Sequence, residues 1–176
     1  MPWQKIESKE MYKSRWMRVT EDRVKIPGGR EIKYSVVHVE PMVVIIPWDG
    51  THLTLVGQYR YPVGEYSWEL PAGRVMGKSI EETARAELKE ETGFTAGYLA
   101  EVGQFNAING YSTQRAYVFL AKDLKPGKPK REPSEAEMKT KKVTPAEFND
   151  MIRRGEITDG PIIAVAGYIL LKNLLA

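Results

Sequence analysis

The stretch AELKEETGF, residues 86–94, places three glutamates in a segment that otherwise predicts an amphipathic helix. At about 100° per residue, the apolar residues of this helix form one stripe: Ile80, Ala84 and Leu88. Glu91 falls inside the stripe and Glu87 lies at its edge, while Glu90 lies a little further round. A carboxylate that faces the interior needs a partner, because an unpaired buried charge is too costly to keep.

The ends of this helix are also marked. Ser79 is followed three residues later by Glu82, which is the pattern of a capping box at a helix start. Gly93 is typical of the left-handed residue that ends a helix. The helix is therefore expected to begin at Ser79 and to end at Gly93.

A divalent metal ion is one partner that fits these glutamates. Positions i, i+3 and i+4 lie on one side of a helix, so Glu87, Glu90 and Glu91 can converge on a hard cation. Ligation by oxygen alone favours magnesium or manganese, and magnesium favours substrates that carry phosphates. The spacing alone leaves two other interpretations open, pairing with arginine and a partly solvated acidic cluster.

The composition excludes several other kinds of site. The 176 residues include no cysteine, so disulfides, thiolate catalysis and cysteine-ligated zinc are excluded. The net charge of +3 is mild and is not gathered into one block, which gives no support for a nucleic-acid partner. The N-terminus lacks the apolar core of a signal peptide and no apolar run is long enough to span a membrane, so we expect a cytoplasmic protein without a membrane partner.

Apolar periodicity predicts a mixed α/β domain. Two strands are expected between residues 15 and 39, around the turn Pro27-Gly28-Gly29. Further strands are expected at 42–47, 52–57, 98–108, 115–121 and 137–143, and further helices after Thr144 and Asp159. Strands that precede, flank and follow a central helix indicate an α/β fold.

The stretch 68–94, WELPAGRVMGKSIEETARAELKEETGF, resembles the signature of the Nudix hydrolases. The second half of that signature is matched by the following residues: Glu87, Leu88, Glu90, Glu91, Gly93 and Phe94. The resemblance implies a loop-helix-loop that binds divalent metal and hydrolyses a nucleoside diphosphate linked to another group. It also implies an α/β/α sandwich around a mixed sheet.

The first half of the signature departs from the family pattern. Lys78 stands where the family has glutamate, Ala86 stands where it has arginine, and the loop counted from Gly73 is one residue short. The two family residues are thought to brace loop and helix, and here both are replaced together, so no orphan charge is left. We expect an altered loop with an intact metal site. The departures motivate an alternative, a Nudix-fold nucleotide-binding protein with weak or no turnover.

The resemblance extends to one branch of the family. The stretches VGQYRYP and WELPAG resemble the ADP-ribose pyrophosphatase, or nucleoside diphosphate sugar hydrolase, branch. That branch implies Glu87 and Glu91 as metal ligands with Glu90 assisting, and the backbone carbonyl of Ala72 as a further ligand. Mg²⁺ is the expected ion, with Mn²⁺ as a substitute.

The same branch places a late acidic loop over the site, and here that loop is SEAEM, residues 134–138. Glu135 becomes the leading candidate for the general base, and Glu137 a second candidate as base or ligand. An extended segment would place both side chains on one side, and closure over substrate would bring them to the site. The alternative is a solvated acidic loop.

Candidate substrate-binding residues follow from the positions that flank the metal loop and the next turn. They are Arg60, Tyr61, Arg74, Gly110, Tyr111 and Ser112. Arg60 lies between two tyrosines, so it can grip phosphate while a ring stacks on a base, and a surface ion pair is its alternative role. The expected substrate is ADP-ribose or a related nucleoside diphosphate sugar, cleaved to a nucleoside monophosphate and a sugar phosphate. GDP-mannose and a coenzyme A derivative are alternative substrates.

The chain is expected to divide near residue 40. Residues 1–40 would form an antiparallel subdomain for dimerisation, and residues 41–176 would form the Nudix hydrolase domain. Related enzymes often dimerise by exchange of such a subdomain, so a homodimer is expected.

Overall fold

The computed structural model describes residues 2–131 and 133–175. The chain folds into two compact units. The first takes the chain up to Pro41 together with Asn106–Arg115, and the second takes Met42–Phe105 and the chain from Ala116 onward. The first unit therefore includes the turn segment at residues 106–115, which a single division of the chain near residue 40 would leave out of it. Within the described ranges, no helix is long and apolar enough to cross a membrane.

The first unit is built on a three-stranded antiparallel sheet. Its strands are β1 (Gln4–Lys13), β2 (Arg18–Lys25) and β3 (Glu31–His38), in the order β1-β2-β3. The two strands predicted around the Pro27-Gly28-Gly29 turn are β2 and β3, and both glycines have positive φ. β1 was not predicted, because its residues are exposed on both faces and so carry no apolar alternation.

The second unit contains two sheets. The mixed sheet has the order β7-β4-β9-β8, and its strands are β4 (Met42–Pro47), β7 (Ala72–Arg74), β8 (Thr95–Asn106) and β9 (Arg115–Lys125). In this sheet β4 pairs with β9 in parallel and with β7 in antiparallel. The second sheet is antiparallel with the order β10-β5-β6, and its strands are β5 (Leu53–Arg60), β6 (Glu65–Glu69) and β10 (Lys139–Val143).

Side chains of β4 point alternately into two apolar clusters, as expected for a strand buried on both faces. Val43 and Ile45 pack with Ala84 and Leu88 of the central helix. The other face of β4 belongs to a larger cluster that includes the following residues: Val44, Ile46, Leu55, Phe148, Met151, Ile162 and Val165. The mixed sheet is therefore covered on both faces, which is the sandwich that the sequence predicts.

Among the residues that the structure describes, three α-helices complete this unit. They are α1 (Ile80–Glu87), α2 (Pro145–Arg153) and α3 (Gly160–Leu171). Thr144 and Asp159 cap α2 and α3, because their side-chain oxygens accept the backbone N–H groups of Glu147 and Ile162. Both predicted helix starts are confirmed.

Candidate active site

The loop before α1 is fastened by a capping box. The hydroxyl of Ser79 accepts the backbone N–H of Glu82, and the carboxylate of Glu82 accepts the backbone N–H of Ser79 at 2.9 Å. The hydroxyl of Thr83 donates to the carbonyl of Ser79 at 2.8 Å. Lys78 and Ala86 replace the two residues that are thought to brace loop and helix in the family. Here hydrogen bonds among Ser79, Glu82 and Thr83 fix the start of the helix next to Lys78.

The last turn of the predicted helix, which carries Glu90 and Glu91, is not α-helical. Residues Leu88–Thr92 form a single π-helical turn, which ends at Gly93 with φ of 81°. The expectation of one continuous α-helix to Gly93 is therefore wrong in its last turn, although the glycine end is confirmed. Single π-helical turns occur often at functional sites, since they rotate the side chains that follow. Here the turn carries Glu90 and Glu91.

Glu91 is the most buried of the three glutamates. Only 2% of its surface is exposed, and its carboxylate accepts the backbone N–H of Ala72 at 3.2 Å. The pKa of Glu91 is raised to about 9, chiefly by burial and further by the negative charges of Glu87 and Glu135. The sequence-based prediction that Glu91 faces the interior is confirmed.

Glu87 lies against the backbone of β7. A Cβ atom added to Gly73 would lie 2.1 Å from the carboxyl carbon of Glu87, so only glycine leaves room for this side chain. Ala72 and Gly73 therefore contact the two acidic side chains that the helix directs toward β7. Glu90 is half-buried, and its main-chain carbonyl accepts the N–H of Lys130 at 2.9 Å.

The acidic cluster has the donor chemistry that a divalent metal needs. Carboxylates of Glu87 and Glu91 approach one strand, and the charge of Glu135 acts on Glu91 as well. A divalent cation would offset this repulsion, and oxygen donors are the ligands it prefers. In the part of the chain that the structure describes, no three acidic or histidine side chains already form a complete ligand set. Glu87, Glu91 and the carbonyl of Ala72 are the groups that would hold the ion, with Glu90 beside them.

The predicted acidic loop lines a cavity of about 1240 Å³. Pro133–Glu135 form a short 3₁₀ turn, and the N–H of Met138 donates to the carbonyl of Glu135 at 2.9 Å. The segment is thus turned rather than extended, so Glu135 and Glu137 do not share a side through strand alternation. Both nevertheless line the cavity.

Arg60 and Tyr61 line the same cavity. Nε of Arg60 donates to Glu69 at 2.8 Å, and Nη2 donates to the other carboxylate oxygen of Glu69. This two-point hydrogen bond raises the pKa of Arg60 and fixes the plane of its guanidinium group. Tyr61 is 86% exposed, so its ring is open to solvent. Arg60 and Tyr61 thus line the same cavity as Glu135 and Glu137.

Arg60 also borders a smaller pocket of about 340 Å³. Glu69, Ser67 and Asp159 are among its lining residues. Burial raises the pKa of Asp159, and the negative charge of Glu69 adds to this effect. Glu69 was not identified from the sequence, although its place directly before the loop LPAG was a usable signal.

The remaining candidates lie elsewhere on the chain. Arg74 is exposed at the end of β7. Gly110, Tyr111 and Ser112 belong to the first unit, where the hydroxyl of Tyr34 donates to the carbonyl of Gly110. The N–H of Val37 donates to the carbonyl of Tyr111 at 2.8 Å, so this turn is fastened to β3.

Two family models match the chain. The NUDIX domain matches residues 38–165, and the nucleoside diphosphate sugar hydrolase N-terminal domain matches residues 3–37. The chain belongs to the NUDIX domain family, and the resemblance seen in residues 68–94 is confirmed. Hydrolases of this family generally depend on a divalent metal ion.

Curated relatives and solved structures agree with this assignment. The chain is 29% identical over 173 residues to the ADP-ribose pyrophosphatase of Bacillus subtilis (strain 168), covering 97% of this chain and 94% of that protein. It is 32% identical over 168 residues to the ADP-ribose pyrophosphatase of Mycobacterium tuberculosis (strain ATCC 25618 / H37Rv), covering 93% and 80%. A crystal structure of an ADP compounds hydrolase has a TM-score of 0.86 at 20% identity, covering 96% of this chain and 92% of that chain. The last similarity confirms the predicted Nudix-type fold.

Proposed function

We propose that this Nudix enzyme hydrolyses the diphosphate of ADP-ribose or a related nucleoside diphosphate sugar, with Mg²⁺ as its metal ion. The products are a nucleoside monophosphate and a sugar phosphate. The observation that carries the proposal is the convergence of acidic side chains: the carboxylates of Glu87 and Glu91 lie against Gly73 and Ala72 of β7, and the charge of Glu135 acts on Glu91. Two relatives that match nearly the whole chain are ADP-ribose pyrophosphatases, which supports this substrate class.

Each group of residues has its own task in this reaction. When bound, the metal ions neutralise the diphosphate and lower the pKa of a water molecule. Glu87 and Glu91 would hold the ions with Glu90 assisting, and Glu135 orients the attacking water and accepts its proton, with Glu137 as the second candidate. Arg60, oriented by Glu69, binds a phosphate group through its remaining guanidinium edge. Tyr61 and Arg74 complete the substrate contacts.

The decisive experiment is a substrate screen with magnesium present. ADP-ribose, other nucleoside diphosphate sugars, GDP-mannose, a coenzyme A derivative and nucleoside triphosphates are incubated with the enzyme, and the released products are quantified. Release of AMP from ADP-ribose, abolished by Glu91→Gln, supports the proposal. Binding of ADP-ribose without hydrolysis at any metal concentration would instead identify a nucleotide-binding protein. Preference for triphosphates would contradict the substrate class.

We also propose that the first unit mediates a homodimer. β1 is an edge strand with exposed residues on both faces, and several large apolar side chains of this unit are exposed: Trp3, Met11, Tyr12, Trp16 and Met17. Exposed apolar side chains beside an edge strand form a surface suited to association with a second copy. Light scattering coupled to size exclusion should report twice the mass of one chain, and a monomeric mass would contradict dimerisation.

A further inference from the structure

We propose that Arg131 is a positioning residue, which holds the helix end that carries Glu91 at a fixed distance from the loop that carries Glu135. The inference rests on the proposed function, because it concerns how the loop carboxylate is positioned to act on the attacking water. Arg131 itself has no part in binding the metal or the substrate. Its effect passes through the backbone of the two segments that it joins.

The side chain of Arg131 bridges two main-chain carbonyls. Nε and Nη2 donate to the carbonyl of Glu91 at 3.1 and 3.0 Å, and Nη1 donates to the carbonyl of Met138. The first carbonyl belongs to the π-helical turn, and the second belongs to the last residue of the acidic loop. One rigid guanidinium group therefore spans the gap between the two halves of the proposed catalytic site.

The helix end needs such a donor. The last carbonyls of a helix have no partner inside the helix, and a cation near this end is favoured by the helix dipole. The chain before Arg131 is fastened to the same turn, since the N–H of Lys130 donates to the carbonyl of Glu90. A Cβ atom added to Gly93 would lie 2.5 Å from the carbonyl oxygen of Gly127, so the two backbones are in close contact. The segment 127–131 is thus held directly against the helix end.

The loop side of the bridge is equally well defined. The side chain of Met138 is buried, with 3% of its surface exposed, and its N–H donates to the carbonyl of Glu135. The guanidinium group of Arg131 donates to the carbonyl of Met138 itself. Fixing Met138 therefore fixes the turn from which Glu135 projects, and Glu135 is close enough to Glu91 for its charge to act there.

A test compares Arg131→Ala and Arg131→Lys with a matched control, Arg85→Ala. Arg85 also donates to a main-chain carbonyl, that of Ala96, and pairs with Glu81 on the exposed side of α1. For each protein, kcat and KM for ADP-ribose are measured with magnesium at 25 °C, and Mn²⁺ affinity is measured separately by electron paramagnetic resonance. Thermal unfolding confirms that every variant is folded at the assay temperature.

We expect Arg131→Ala to lower kcat by about 10- to 100-fold, since a misplacement of about 1 Å can cost this much. KM and Mn²⁺ affinity should change by less than about 3-fold, because the substrate contacts and metal ligands are intact. Arg131→Lys should not recover kcat, since an ammonium group cannot reproduce the planar fork. Millimolar guanidinium should restore part of kcat in Arg131→Ala and none in Arg85→Ala.

An unchanged kcat in folded Arg131→Ala would overturn the inference and leave the proposed function standing. A fall in Mn²⁺ affinity equal to the fall in kcat would also overturn it, because Arg131 would then act on the metal site alone. If the wild-type protein hydrolyses none of the substrates, the proposed function fails. Amide hydrogen exchange then tests separately whether Arg131 fixes the backbone at Met138. Faster exchange at Met138 in Arg131→Ala than in Arg85→Ala supports the bridge, and equal exchange refutes it.

Discussion

The carboxylate of Glu91 accepts the backbone N–H of Ala72, one residue before the glycine against which the carboxylate of Glu87 lies. Two consecutive residues of β7 thus contact two acidic side chains that come from one helical segment. The hydrogen bond from Ala72 lowers the pKa of Glu91, but burial and the charges of Glu87 and Glu135 raise it by more. The arrangement is preorganised for a cation, and it is costly in the metal-free protein.

Glu91→Gln should stabilise the metal-free protein at pH 8. The ordinary pKa of 4.5 rises to about 9 in the folded state, so the folded state holds the proton more tightly than the unfolded state. The stabilisation that the Glu91 carboxyl contributes is therefore fully present below pH 4.5 and is lost as pH rises toward 9. Removing the charge should increase the free energy of unfolding by about 1–3 kcal/mol at pH 8. Urea unfolding with a chelator present measures it.

The same variant should lose its response to magnesium. Wild-type protein gains stability from a ligand that binds only the folded state, whereas Glu91→Gln should gain little. Its kcat should fall by at least about 100-fold, as expected for loss of a metal ligand. Glu101→Gln, at an exposed position of β8, is the matched control and should keep both properties. A metal-free variant that is less stable than wild type at every pH would contradict the burial of an unrelieved charge.

Gly73→Ala should impair the site through Glu87. The added Cβ would lie 2.1 Å from the carboxyl carbon, so Glu87 must move away from β7. We expect metal affinity and kcat to fall by about 10- to 100-fold, the effect of disturbing a ligand's immediate support. Isothermal titration with Mn²⁺ and steady-state kinetics measure the two quantities. Gly167→Ala is a suitable control, because nothing lies within 4 Å of its added Cβ, and equal losses in both variants would refute the steric argument.

Glu135→Gln should reduce kcat more than Glu137→Gln. Glu135 is half-buried and its charge reaches Glu91, whereas Glu137 is exposed on the same cavity. Removing a general base costs about 10²- to 10⁴-fold, and the acidic limb of the pH profile of kcat should disappear with it. A larger loss in Glu137→Gln, together with loss of that limb, would assign the base to Glu137 instead.

The buried strand and the capped helices were predictable because local rules decide them. The apolar run MVVIIP of β4 lies between two apolar clusters, and Ser79 forms the capping box that its spacing indicates. β1 was missed because no face of it is buried, so nothing in its sequence has a period of two. β6 and β7 were missed because short strands next to a proline-glycine loop carry too few residues for any period.

The inward position of Glu91 was predictable, and the surroundings of the acidic residues were not. The inward position of Glu91 follows from helical periodicity, but the π-helical turn that carries it depends on tertiary contacts. The ion pair between Arg60 and Glu69 joins neighbouring strands, and its register cannot be derived from the two segments alone. Arg131 lies in a charged loop, where one cation among many gives no signal of a specific role.

Ser79→Ala should destabilise the protein and spare catalysis at low temperature. The hydroxyl accepts the N–H of Glu82 and orients the carboxylate that completes the box. Loss of such a cap costs about 1 kcal/mol, seen as a lower urea midpoint, while kcat at 15 °C should stay within about 3-fold. Lys78→Ala, which leaves the cap intact, should change neither. If Lys78→Ala were the more damaging variant, the loop would depend on Lys78 rather than on the capping box.

Asp49→Asn should destabilise the folded protein at neutral pH, and this destabilisation should disappear in acid. The carboxylate accepts Nζ of Lys142 at 2.7 Å and the backbone N–H groups of Thr51 and His52 at 3.0 and 2.7 Å. The hydrogen bond from Lys142 is the largest cause that lowers the pKa of Asp49 from 3.8 to about 2, so its stabilisation is present above pH 3.8 and is lost as pH falls toward 2.

At pH 7 the variant should therefore lose about 1–2 kcal/mol of unfolding free energy, an amount typical of hydrogen bonds to a charged group. The difference from wild type should shrink steadily between pH 4 and pH 2 in a series of urea titrations. Asp150→Asn is the control, since its carboxylate pairs with Arg153 on the exposed surface and should leave the midpoint nearly unchanged. A difference between Asp49→Asn and wild type that stays constant down to pH 2 would show that the turn depends on the shape of Asp49 and not on its charge.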